Sequence, residues 1–244
     1  EREGAHRAIA LSELVDVPIL LVHISGGEAV AQIRDARAKG LNVYAETCPQ
    51  YLLLTAADLG MDDSYFGARC VCSPPPRDKS SQEDIWQGLA DGLFTGFSSD
   101  HSPFNLNGED GKTPGGREVA FRHIPNGIPG IETRMPLLYS EGVLGGRISL
   151  NRFVELTATQ PARAYGLYPQ KGTLAIGSDA DLVIWEARDF ILGNEHLHHA
   201  VDYTPYAGMK LRAWPAMTLL RGEVVWDGAG FTGAAGQGRF LPRG

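Results

Sequence analysis

The sequence predicts an α/β protein in which a parallel sheet is followed by a smaller β-rich segment. Up to about residue 170, short apolar runs alternate with stretches of helical periodicity, and from Lys171 short strands alternate with Gly-containing turns. Alternating strands and helices favour parallel pairing, because each crossover helix returns the chain to the same end of the sheet. We therefore predict two domains, residues 1–170 and 171–244.

The chain opens with a helix and a βαβ unit. The first residues, EREGAHRAIALSEL, have helical spacing, and residues 17–25 form an uninterrupted apolar run, as expected for a strand buried on both faces. Ser25 and Glu28 have the capping-box spacing at the start of a helix that Gly40 ends. Residues 41–46 then predict a second strand, parallel to the first.

Two loops separate the later elements of the first domain. Three consecutive prolines after Ser73 force an extended loop, and a helix from Gln82 to Asp91 then leads to a strand-like run at residues 92–100. The Gly- and Pro-dense residues 123–132 predict another loop.

The remaining elements are a broken helix and a β-rich module. Helical spacing runs from Ser149 to Tyr165, with a break near Pro161. After Lys171, KGTLAIGSDADLVIWEA predicts short strands, and AMTLLRGEVVWDG predicts a hairpin that turns at Arg221 and Gly222.

Polar residues follow the apolar strands at their C-terminal ends, where active sites collect in parallel α/β folds. His23 ends the first strand, and Asp100 with His101 ends the third. Taken singly, His23 is most simply a capping histidine and Asp100 a turn residue before Pro103. As a pair on one rim they are suitable ligands for Zn²⁺ or Mn²⁺, and the carboxylate could also accept a proton.

Other candidate residues have simpler interpretations. Cys48 could be a nucleophile, but no base adjoins it, so packing is the better interpretation. Ser73 and Asn126 are turn formers, or they present backbone groups to a polar ligand. The histidines at positions 196, 198 and 199 resemble a metal-binding tract, but without acidic companions nearby we interpret them as a solvated loop.

Composition excludes several classes of partner. The net charge of −7 disfavours nucleic acid and anionic membranes, and no apolar run approaches the length of a membrane-spanning helix. The three cysteines are too few for a disulfide framework and fit a reducing compartment. We expect a cytoplasmic protein with a small-molecule partner.

Several blocks in one order resemble the dihydropyrimidinase/D-hydantoinase family of the amidohydrolase superfamily. They include VHISGGEAVAQIRDARAKGLNVYAETCPQYLLL, CVCSPPPRDK, SSDHSPF, IPNGIPGIETRMPLLYSEGV, TQPARAYGLYPQKGTLAIGSDADLVIWE and VDYTPYAGM. The resemblance covers nearly all of the chain. It implies strands six to eight of a (β/α)₈ barrel and part of a β-sandwich, and it implies hydrolytic opening of a cyclic amide in dihydropyrimidines or hydantoins.

The resemblance also implies roles for four residues. His23 matches a metal-ligand histidine, and Asp100 matches the aspartate that binds metal and serves as general acid and base. Ser73 and Asn126 match positions whose main chains hold the cyclic amide or imide. His101 adjoins the site without an assigned role. The implied cofactor is a pair of divalent ions, usually zinc, bridged by a carboxylated lysine, and the implied assembly is a homotetramer or dimer.

The family's HxH pair, carboxylated lysine, a further histidine ligand and tyrosine-bearing loop have no counterpart here. We therefore expect a C-terminal portion of a longer enzyme, inactive by itself. An allantoinase- or dihydroorotase-like amidase is the alternative enzyme, although the IPNGIPGIETRMPLLYSEGV and DYTPY segments favour the hydantoinase branch. A non-catalytic scaffold of the same fold, like the collapsin-response mediator proteins, is the alternative from another class.

Overall fold

The structure, a computed structural model, describes residues 1–60, 66–116 and 119–243. The chain divides into two compact units: unit 1 comprises Glu1–Arg134 and Ile191–Met209, and unit 2 comprises Met135–Phe190 and Lys210–Gly244. Unit 2 contains residues on both sides of the predicted domain boundary near residue 170. That boundary stays a prediction.

Unit 1 combines a parallel sheet with helices. Its helices and strands are, in chain order, α1 (Arg2–Val15), β1 (Ile19–Leu21), α2 (Gly27–Ala38), β2 (Val43–Thr47), α3 (Pro49–Leu53), α4 (Phe66–Arg69), α5 (Lys79–Ala90) and β3 (Gly96–Phe97). The strand order is β1-β2-β3, and both pairings are parallel, as predicted. Helix α2 contacts α1, β2 and α5, and its residue Ile33 is fully buried.

The strands are shorter than the apolar runs suggested. Among the described residues, β1 pairs with β2 alone, and its three residues are partly exposed, so the expected burial on both faces is wrong for this chain. β3 has only two residues. The flanking backbone N–H groups of Thr95 and Ser98 also donate to the Ala45 and Thr47 carbonyls of β2, at 2.7 and 3.0 Å.

The predicted capping box at the start of α2 is wrong. Gly26 is the N-cap, and no side chain caps the helix. The Ser25 hydroxyl is already engaged, since it donates to Glu1 and accepts from Arg77 Nε at 3.1 Å. Partners distant in sequence have therefore replaced the local cap, whereas the predicted stop is confirmed by the left-handed Gly40, with φ 83°.

Unit 2 holds the helical stretch predicted from Ser149 to Tyr165 and an antiparallel hairpin. Its regular elements are α6 (Arg134–Leu137), α7 (Leu150–Val154), α8 (Gln160–Ala164), β4 (Leu182–Ile191), β5 (Lys210–Leu220) and β6 (Glu223–Trp226). A π-helical segment, Glu155–Thr159, joins α7 to α8, which begins at Gln160. The predicted boundary near Pro161 is therefore present, but the backbone stays helical through Thr159 and Gln160 and does not break. β5 and β6 pair antiparallel around Arg221 and Gly222, both with positive φ, as predicted.

In the described ranges, no helix combines the length and the apolar character needed to span a membrane.

Candidate active site

His23 and Asp100 follow two strands of the same parallel sheet. His23 lies two residues beyond β1 and Asp100 three residues beyond β3, so both follow the carboxyl ends of their strands. Both adopt left-handed backbone conformations, with φ of 43° and 47°, which is uncommon for residues other than glycine and clusters at functional sites. Neither side chain has a hydrogen-bond or ion-pair partner among the described residues, and both are half-buried.

This donor set fits a divalent cation but does not complete a site. One imidazole and one carboxylate, both without protein partners in the described ranges, are the ligand types that zinc and manganese accept. Within those same ranges, no group of three or more His, Cys, Asp or Glu side chains is placed to hold a metal ion. His23 and Asp100 could therefore supply only part of a coordination sphere.

A polar network joins the ends of β2 and β3. The Ser98 hydroxyl donates to Glu46 Oε1 at 2.9 Å, and Arg134 Nη1 donates to the Phe97 carbonyl at 2.7 Å. Burial lowers the pKa of Arg134, while Cys48 and Glu46 act in the opposite direction. The network holds the backbone that leads to Asp100.

Cys48 is unsuited to nucleophilic attack. Its Sγ lies 3.2 Å from Ser98 Oγ and is fully buried. Burial raises the pKa of the thiol well above its usual range; the Ser98 hydrogen bond opposes that shift, and Glu46 and Asp100 add to it. The thiolate is the reactive form, so Cys48 contributes packing, as expected.

His101 anchors the Asp100 segment to the loop at residues 124–131. Its Nδ1 accepts hydrogen bonds from the backbone N–H groups of Gly130 and Ile131 at 3.0 and 3.2 Å. The Ser102 N–H donates to the Ile128 carbonyl at 3.2 Å. Burial lowers the pKa of His101, which favours a neutral ring with its proton on Nε2.

Ser73 and Asn126 are exposed residues on two largely buried loops that are hydrogen-bonded to each other. Both residues are exposed, while the Gly127 N–H donates to the Val71 carbonyl at 3.2 Å. Tyr51 reinforces the first loop, because its hydroxyl donates to the Pro74 carbonyl at 3.0 Å. The structure therefore brings the two loops together, which is the arrangement that a shared main-chain binding site needs.

Gly127→Ala should destabilise the full-length protein by more than about 3 kcal/mol, because an unfavourable backbone conformation and a steric clash combine. Gly127 has φ 131°, and a Cβ there would lie 2.4 Å from the Ser102 carbonyl oxygen. Gly108→Ala is the control: its φ is 105°, but a Cβ would meet no atom within 4 Å. We expect about 1–3 kcal/mol for it. Equal losses in denaturant unfolding would show that the close approach to Ser102 is unimportant.

The histidine tract differs from expectation because it has acidic partners. His198 Nδ1 lies 2.8 Å from Glu132 Oε1, and the His198 backbone N–H also donates to Glu132. His199 Nε2 lies 2.8 Å from Asn194 Oδ1, and His196 Nδ1 accepts from the Gly193 N–H at 3.0 Å. Glu195, which directly precedes His196, also lies close to it, with 3.7 Å between Glu195 Oε1 and His196 Nδ1. The expectation of no acidic companions is therefore wrong: Glu195 was overlooked, and Glu132 is distant in sequence.

Sequence reasoning also missed Arg134 and Lys112. Arg134 follows a Gly- and Pro-rich loop, and Lys112 lies in NGEDGKTPGG, whose composition indicates a solvated loop. Both nevertheless donate to backbone carbonyls next to the strand ends and loops of the candidate site. No local pattern distinguishes such cations from solvated ones.

Comparison with known proteins places this geometry in context. The sequence model of the amidohydrolase family matches residues 20–225 of this chain. D-hydantoinase from Rhizobium radiobacter is 43% identical over 244 residues, which are 100% of this chain and 52% of that protein. The crystal structure of dihydropyrimidinase from Brevibacillus agri is 45% identical, with a TM-score of 0.93 over 99% of this chain and 52% of that one.

This chain is also similar to a protein named as an L-hydantoinase rather than a D-hydantoinase. The L-hydantoinase (dihydropyrimidinase) from Arthrobacter aurescens is 34% identical, with a TM-score of 0.86 over 99% of this chain and 52% of that structure. The chain thus spans about half the length of the relatives that it matches.

Proposed function

Because the chain belongs to the amidohydrolase family, we propose that the full-length protein hydrolyses the cyclic amide bond of dihydropyrimidines or hydantoins. The observation that carries this proposal is the similarity, at 43% identity across the whole chain, to a D-hydantoinase. The positions of His23 and Asp100 after two strands of one parallel sheet support it.

We assign His23 and Asp100 as metal ligands of the full-length enzyme, completed by residues outside this chain. A bound pair of divalent ions, which we propose to be zinc bridged by a carboxylated lysine, would supply Lewis-acid activation of water and of the ring carbonyl. The absence of protein partners for both side chains in the described ranges leaves their donor atoms available for this role.

Asp100 is the proposed proton carrier of ring opening. Its carboxylate would accept the proton of the attacking water as the new C–O bond forms, and deliver that proton to the ring nitrogen as the C–N bond breaks. The neutral His101 beside it is anchored by the N–H groups of Gly130 and Ile131, so it holds this segment in place.

Ser73 and Asn126 are the proposed substrate-binding residues. Their main-chain groups would bind the N–H and carbonyl groups of the ring, and the bond from Gly127 to Val71 supports a fixed spacing between the two loops. Donors and acceptors fixed on a rigid backbone align the ring without side-chain reorganisation.

The proposal extends to architecture and assembly. We propose that β1, β2 and β3 are strands six to eight of a (β/α)₈ barrel, and that residues 171–244 contribute to a β-sandwich. A cytoplasmic homotetramer or dimer is the proposed state of the full-length enzyme, and the partner is the small cyclic substrate.

A substrate panel tests the proposal. We expect the full-length protein to open dihydrouracil or hydantoin with a kcat/KM at least about tenfold above that for allantoin or dihydroorotate, since a polar site discriminates strongly among ring substituents. Preference for allantoin or dihydroorotate would support the alternative amidases. Failure to retain metal after reconstitution, with no turnover of any of the four, would support the scaffold.

A further inference from the structure

Lys112 is a fully buried lysine next to the two proposed substrate loops. A buried ammonium is costly unless it is well hydrogen-bonded, and lysine is seldom buried without a partner charge. Among the described residues no carboxylate pairs with it. Its Nζ instead donates to two backbone carbonyls, those of Val71 and Pro125, each at 2.8 Å.

The two carbonyls belong to different loops. Val71 is two residues before Ser73, and Pro125 directly precedes Asn126. The Val71 carbonyl also accepts from the Gly127 N–H, so Lys112 and Gly127 converge on one oxygen. A single ammonium group thus bridges the backbones that lead to both exposed residues.

The backbone of Lys112 is itself fixed. Its N–H donates to the Asn105 carbonyl at 2.9 Å, and the next N–H, of Thr113, donates to the Leu106 carbonyl at 2.7 Å. Asp202 fixes that turn in its place, accepting from the Leu106 N–H at 2.6 Å. The backbone that carries the Lys112 side chain is therefore fixed by hydrogen bonds.

Burial makes the charged form of Lys112 only slightly favoured near neutral pH. Burial lowers its pKa to about 8. Burial raises the pKa of the Cys70 and Cys72 thiols to about 12, so they stay neutral near pH 7. Such a costly group is best explained by the two carbonyls that it joins.

We propose that Lys112 is a positioning residue that sets the spacing between the main chains of Ser73 and Asn126. This rests on the proposed function, in which those main chains bind the cyclic amide. Lys112 Nζ donates to the Val71 and Pro125 carbonyls rather than to His23 or Asp100, so we expect it to govern substrate binding more than the chemical step.

The test is Lys112→Met in the full-length, metal-loaded protein, which keeps the unbranched stem but removes the donor. We expect KM for the preferred ring substrate to rise by about tenfold, with kcat reduced less than about threefold, because binding is lost more than transition-state stabilisation. Metal content should be unchanged. Lys210→Met is the control, since Lys210 is exposed and its Nζ lies 2.7 Å from Asp189 Oδ2.

An unchanged KM in folded, metal-loaded Lys112→Met overturns the proposal, as does a fall in kcat alone. If that variant does not fold, Lys112→Gln, which retains a donor, is measured in the same way and should show a smaller rise in KM. Failure of both variants to fold would assign Lys112 a general structural role and also overturn the proposal. Ring opening by the wild-type protein separately tests the proposed function, so the two failures are distinguishable.

Discussion

Asp100→Asn should lower kcat for ring opening by the full-length protein by about 10²–10⁴-fold, the range over which a positioned general acid or base contributes. The amide matches the carboxylate in shape and can still offer an oxygen to a metal ion, but it does not accept a proton near neutral pH. Asp100 follows β3, and its carboxylate has no hydrogen-bond partner in the described ranges, so no structural hydrogen bond is lost.

The measurement combines steady-state kinetics with elemental analysis of the bound metal. Asp91→Asn is the matched control, because Asp91 ends α5 and is bonded to Arg34 and Gln87 at the surface. The control should retain near-normal kcat. Near-normal turnover by Asp100→Asn with metal still bound would remove Asp100 from the proton-transfer role.

His23→Ala should lower the metal affinity of the full-length protein by more than about 10–100-fold, the loss that follows when only outer-shell support of a metal ligand is removed. Activity should fall with the metal content. The half-buried imidazole has no described protein partner, so its loss should leave the unfolding temperature of the metal-free protein almost unchanged.

His6→Ala is the control for His23, since His6 lies on the exposed face of α1, where its Nδ1 contacts Gln32 Oε1 at 2.9 Å. We expect it to bind metal like the wild type. Full metal content and normal activity in His23→Ala would show that His23 is not a ligand.

The order and pairing of elements could be predicted because they depend on local signals. Apolar runs separated by a helix that Gly40 ends predicted the parallel βαβ unit correctly. The extent of the strands could not be predicted, because it depends on neighbouring strands: in the part of the chain that the structure describes, β1 pairs with β2 alone and is three residues long. The predicted capping box at Ser25 was wrong for a similar reason, since the Ser25 hydroxyl binds Glu1 and Arg77 instead of capping α2.

The positions of His23 and Asp100 after strands could be predicted from the sequence. The backbone conformation of these residues and the role of Lys112 could not. His23 and Asp100 follow the apolar runs of strands that lie in one sheet, which is visible in sequence. Their left-handed backbone is not, because no glycine marks it. The burial of Lys112 could not be predicted either, since it arises from contacts with residues 13 and 41 positions away in sequence.

Metal-dependent ring opening by the full-length protein tests the central claim most directly. Turnover of dihydrouracil and hydantoin would be measured before chelation, after removal of the metal, and after addition of zinc. We predict ring opening that is lost with the metal and restored by zinc. Absence of turnover of both rings by metal-loaded protein, or turnover that persists in full after the metal is removed, would contradict it.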